Sequence, residues 1–246
     1  MRIKPPARPE DIGQALVADL EALLGPDLLG VCLYGSAASG HYRPGRSDIN
    51  LLILVADQSP HRPSELIPFC AKWAPARVAT PLVVNPSYLR GSLDVFPVEF
   101  LIMAASHRVL CGQDPLAGVA VKPGNLRLQL EREFKAKLMA LRTRLLASRG
   151  RAAALSELAR QAAPAFMALF QAYLHLLEGN FPLEPEQVWQ RLEARGVEAG
   201  AFRDLHRVRA GLHKPRVPEL LALVEKALAQ VEAVCRQLDA LDRHNG

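Results

Sequence analysis

Aromatic residues are scarce, 6% of 246, and nowhere alternate with basic side chains. A surface that stacks bases needs such a pattern, so nucleic acid is not an expected partner. Cysteine is equally sparse. Cys32, Cys70, Cys111 and Cys235 form no CxxC pair and no cluster with histidine, which indicates neither a zinc site nor a disulfide framework. They read as buried thiols of a reducing cytoplasm. No apolar run reaches the roughly 18 residues that crossing a membrane requires. The opening MRIKPPARPED has no signal-peptide core, so a cytoplasmic protein without a membrane partner is expected. There is no repeat at a fixed period and no low-complexity tract. Charge of one sign is in small excess, net +5, which suits a phosphate-bearing ligand without demanding a polyanion.

What is present is hydrophobic content, 50% of residues, enough for one large core or two modest ones. The patterning favours two. The first half alternates short apolar runs with turn clusters, and the second is a series of long amphipathic segments rich in Ala, Leu, Arg and Glu. The change falls at Lys122-Pro123-Gly124, giving expected domains of 1–122 and 123–246. In the first, residues 10–24 read as an amphipathic helix stopped by Gly25-Pro26. Residues 28–34, 48–55, 80–84 and 95–103 read as strands, and 63–73 as helix. The predicted fold class is an α/β (α+β) domain around a small mixed sheet. An all-α bundle follows, with helices at about 125–149, 153–178, 185–195, 201–212 and 218–241.

The chemistry concentrates in LYGSAASGHYRPGRSDINLLIL, residues 33–54. A strand ends in Gly35-Ser36, a loop follows, and a second strand opens on Asp48 and Asn50. Positions i and i+2 of a strand point to one face, so Asp48 and Asn50 project together beside the Gly-Ser turn. Gly35 permits close backbone approach, and Ser36 offers a hydroxyl and an N–H, the donors that a triphosphate needs. Two oxygen-bearing side chains beside a phosphate cradle describe a magnesium site.

These residues resemble the nucleotidyltransferase superfamily that includes DNA polymerase beta, the aminoglycoside adenylyltransferases and the minimal nucleotidyltransferases. Its signature is Gly-Ser, a spacer of roughly ten residues, Asp-x-Asp, often as Ser-Asp-x-Asp, and a third carboxylate on a later strand. Here Gly35-Ser36 are followed by Ser47-Asp48-Ile49-Asn50, with an amide in place of the second aspartate. The resemblance implies a nucleotidyltransferase domain, a nucleoside triphosphate substrate, a hydroxyl acceptor and a two-ion Mg2+ site weakened by Asn50. For the third carboxylate, Asp94 and Glu99 have opposite strand parity, and Glu99 is the choice because it lies inside the apolar run, where an unpartnered charge is costly. Expected catalytic and metal residues are therefore Asp48, Asn50 and Glu99, and expected nucleotide-binding residues Gly35, Ser36 and Ser47. Related helical domains often supply a basic residue to the triphosphate, which nominates Lys135 or Lys137, on the flanks of the helix at 125–149. His107-Arg108 as phosphate contacts and Glu178 as general base have less to distinguish them. The expected activity is transfer of AMP from ATP to a hydroxyl. The alternatives are a nucleotide-binding regulator that has lost catalysis, and a helical half that binds a protein partner. The acceptor and the oligomeric state are left open.

Overall fold

The computed structural model describes residues 3–59 and 61–242. The chain forms two units, Met1–Val121 and Lys122–Gly246. In the first, a short 3-10 turn leads into α1 (Gly13–Leu24), then β1 (Leu28–Tyr34), β2 (Asn50–Val55), α2 (Ile67–Trp73), β3 (Leu82–Val84), α3 (Pro86–Ser92), α4 (Pro97–Ala105) and β4 (His107–Gly112). The strands make one sheet in the order β3-β2-β1-β4. β1 is antiparallel to both β2 and β4, while β2 and β3 are parallel, so the sheet is mixed.

Alternation along the strands feeds two cores. Val31, Leu33, Leu51 and Ile53 face α1 and α2, packing with Leu16, Leu20, Phe69 and Trp73. Cys32, Leu52 and Leu54 face the other way and pack with Leu89, Phe100 and Met103 of α3 and α4. The sheet is thus sandwiched between helices, and each strand carries apolar residues at both parities. Burial pushes the Cys32 thiol up to about 12, with the Asp114 charge adding to it, which makes it an inert core residue. Cys70 and Cys111 are only partly buried, less so than the sequence suggested, and all four cysteines are free thiols.

One element differs in kind from expectation. Residues 95–103 read as a strand, but Pro97 opens the helix α4. Proline at the first helical position loses no hydrogen bond, and Val98, Leu101 and Phe100, Met103 recur at a spacing of three on the buried side. The run was apolar enough to hide that period. The strand lies later, over HRVLCG, and α3 is a further helix that the sequence reading lacked.

The second unit contains α5 (Pro123–Ser148), α6 (Ala152–Glu178), α7 (Pro185–Ala194), α8 (Gly200–Ala210) and α9 (Val217–Asp242). The turn between α5 and α6 uses left-handed backbone at Arg149 and Gly150. Aromatic rings from four helices meet in its centre: Phe134 lies 5.5 Å from Phe170, which lies 4.9 Å from Phe202 and 6.2 Å from Trp189. Among the described residues, no helix is long and apolar enough to cross a membrane.

Phe134 is fully buried and touches three other rings, Phe166, Phe170 and Tyr173. Phe134→Ala is expected to destabilise the protein by about 3–5 kcal/mol, read by urea denaturation, and a loss below about 1 kcal/mol would contradict this packing.

Candidate functional site

The site begins where β1 runs out. Tyr34 ends the strand in extended backbone, and Gly35 turns with φ +70° into a 3-10 turn over Gly35–Ala37. That left-handed conformation is accessible to glycine at little cost. The Gly35 carbonyl accepts from the amides of Ala38 (2.9 Å) and Ser39 (3.0 Å), and its own N–H donates to the Ser106 carbonyl at 3.1 Å. Ser106 joins α4 to β4, so the turn is pinned to the next strand of the sheet. The amides of Ser36 and Ala37 precede the first bond of the turn, which has no internal acceptor for them.

Asn50 opens β2 directly opposite Tyr34, which faces His107 on its other side. The Asn50 side chain lies against the turn: a Cβ on Gly35 would sit 3.3 Å from Asn50 Nδ2. Asp48 lies just before the strand and is followed by Ile49, whose N–H donates to the Arg77 carbonyl at 2.8 Å. The segment from Arg43 to Ser47 is a closed turn in which the Ser47 hydroxyl accepts from the Arg43 amide at 3.0 Å. Ser47 therefore holds the loop that delivers Asp48.

Arg77 carries no signal in the sequence that would single it out. It adopts left-handed backbone (φ +62°) between α2 and β3. Its Nη2 lies 2.8 Å from Asp48 Oδ1 and donates to the Arg46 carbonyl at 3.1 Å, while its Nε donates to the Ser47 carbonyl at 3.3 Å. One guanidinium thus holds both the loop backbone and the carboxylate. The side chains are 39% and 58% exposed, so the pair itself adds at most about 1 kcal/mol to stability. Its effect is on the charge of the site.

The expected residues separate into groups. Gly35, Ser36, Ser47, Asp48 and Asn50 are gathered at one end of the sheet. Glu99 is not on a strand; it lies exposed in the first turn of α4, so the parity argument that selected it lapses. The helix meets the Gly-Ser turn at its other end, through Ser106, seven residues on and roughly 10 Å along a helical axis. Lys135 and Lys137 belong to the helical unit. Lys135 bridges Glu131 (2.6 Å) and Asp239 (2.8 Å), bonds that raise its pKa, and Lys137 pairs with Glu133 at 3.1 Å. His107 is bonded to the Ala104 carbonyl and to Asp114, and Arg108 pairs with Glu10, so both have structural partners. Glu178 is clasped by Arg191 and Arg195.

As folded, these donors do not fit a two-ion metal site. Asp48 is already neutralised by a guanidinium, Asn50 is uncharged, and Glu99 sits on a different element from the one expected. Among the described residues, no group of three or more His, Cys, Asp or Glu side chains is placed to hold a metal ion.

No protein-family model matches the chain, and no curated protein is similar to it in sequence. Solved structures do resemble it. Spectinomycin adenyltransferase AAD(9) from Enterococcus faecialis, determined with ATP and spectinomycin, aligns with a TM-score of 0.54 at 10% identity, covering 89% of this chain and 98% of that one. A nucleotidyltransferase-like protein from Exiguobacterium sibiricum 255-15 aligns at 15% identity over 92% of this chain and 75% of its own, but its TM-score of 0.35 is too low to carry an argument. The first likeness shows that the chain has a nucleotidyltransferase fold.

The left-handed Gly35 yields a direct test. Gly35→Ala is expected to lower stability by about 1–2 kcal/mol. The added methyl also presses on the Asn50 amide. Unchanged denaturant unfolding would contradict the turn geometry.

Proposed function

We propose that the chain is a nucleotidyltransferase that binds a nucleoside triphosphate at the Gly35–Ala37 turn and transfers the nucleoside monophosphate, AMP from ATP, to a hydroxyl acceptor in the cytoplasm. The observation that carries this reading is the docking of the left-handed Gly35 turn against Asn50, with Asp48 delivered beside it by the same loop. Adenine is proposed by analogy with the fold neighbour, which was determined with ATP. The opening amides of the turn supply fixed donors for phosphate oxygens, and they need no reorganisation when the ligand arrives. In the transfer, the acceptor oxygen bonds to the α-phosphorus, the bond to the β-phosphate oxygen breaks, pyrophosphate leaves and the hydroxyl proton passes to solvent. Magnesium belongs to the superfamily's chemistry, but with Asp48 paired to Arg77 and an amide at position 50 the residues present do not form a two-ion site for it. Glu99, Lys135 and Lys137 keep their proposed roles only if substitution of each lowers turnover or ATP affinity.

A second reading, nucleotide binding without transfer, is favoured by the amide at position 50 and by the ion pair that occupies Asp48. Two measurements separate them: ATP binding by calorimetry, and release of pyrophosphate together with capture of label from ATP labelled at the α-phosphate. Transfer predicts equal amounts of pyrophosphate and labelled product from the native chain. Turnover by Asn50→Asp alone would establish the second reading, and failure to bind ATP would eliminate both.

A further inference from the structure

The disagreement between the metal site expected and the donors present has a positive content. We infer that Arg77 is the resident cation of this site, and that it receives the triphosphate in place of a divalent ion, so that ATP binds without magnesium. The inference rests on the nucleotide-binding reading given above and specifies which charge that binding uses.

A site built from three carboxylates repels a triphosphate. Like charges a few ångströms apart in a partly desolvated cleft oppose each other strongly, and metal ions must intervene before the phosphates can approach. Here the repulsion is absent. The second carboxylate of the motif is the neutral Asn50, whose amide nitrogen lies on the Gly35 side and carries two N–H donors where a carboxylate has none. The first carboxylate, Asp48, is bound at 2.8 Å by Arg77 Nη2. The loop that holds them adds Arg43 and Arg46, both exposed, and no carboxylate pairs with either among the described residues. Three guanidinium groups therefore stand against one carboxylate on the segments that frame the Gly-Ser turn. That balance favours a bare triphosphate.

Arg77 is also built in. Its backbone carbonyl accepts from Ile49, its N–H donates to the Ala74 carbonyl, and its guanidinium reaches the carbonyls of both Arg46 and Ser47. A guanidinium carries five donors in a fixed fork, so those not used on the loop and on Asp48 remain for phosphate oxygens. A lysine could neutralise Asp48 but could not span these acceptors at once.

The test is ATP affinity of the intact protein, measured by calorimetry in excess EDTA and again in excess magnesium. Native protein is expected to bind at least as tightly in EDTA. Arg77→Gln is expected to lose ten-fold or more in EDTA and to bind better with magnesium than without, since Asp48 is then uncovered. Asn50→Asp is expected to become magnesium-dependent by a similar factor. The native comparison needs no variant, so the inference remains testable if Arg77→Gln does not fold. A ten-fold or greater loss of native affinity in EDTA overturns the inference and leaves the nucleotide-binding reading standing. So does an Arg77→Gln protein that binds bare ATP as the native one does. Binding in neither buffer overturns both.

Discussion

The left-handed turn at Gly35 is the constraint from which the rest of the candidate site follows. β1 must end where Gly35 turns, because the next residues bend back into a 3-10 turn whose first carbonyl is Gly35's own. Its amide is satisfied by Ser106, which fixes the junction of α4 and β4 against the same point. Its missing side chain leaves the space that the Asn50 amide fills. A residue with a Cβ would be strained there by its backbone and crowded by its neighbour, so turn and sheet edge specify each other.

Around that fixed point the electrostatics are settled by two residues that belong together. An aspartate at position 50 would place a second negative charge near Asp48, and one guanidinium would then face two carboxylates. With asparagine there, Arg77 and Asp48 balance, and the guanidinium's remaining donors go to loop carbonyls. The amide and the arginine are therefore one charge arrangement, even though 27 positions of chain separate residues 50 and 77.

The sequence showed the near-neighbour part of this arrangement because its physics is local. The spacing from Gly35-Ser36 to Asn50 sets the turn at the end of β1 against the opening of β2, as the paired strands show, while Asp48 lies just outside β2, where the period-two parity used for it does not extend. The helices of the second unit were readable for the same reason: stripes such as Leu130, Phe134, Leu138 and Leu141 recur at helical spacing over 26 residues. Glu99 was put on a strand, not a helix, because two periodicities overlap there. Residues 97–105 are so uniformly apolar that strand and helix patterns both fit, and Pro97 argues for a helix only once it is read as the first helical residue. Arg77 was invisible for a different reason. Its place depends on a left-handed backbone and on contacts to residues 46–48, about thirty positions away, and nothing in its flanking sequence encodes either.

The two kinds of omission have different consequences. Reading α4 as a strand added an acid to the expected site on a parity argument that lapses, while missing Arg77 left out a base, so the sequence portrait leaned negative on both counts. An exposed ion pair contributes little to folding, which makes the Arg77 clasp weak evidence of a structural device. The hydrogen bonds to the loop carbonyls fix the guanidinium in place, and what the ion pair adds is the charge set against Asp48 beside the Gly35 turn. The geometry thus assigns to one arginine the neutralising role that the Ser-Asp-x-Asp pattern ordinarily leaves to metal ions.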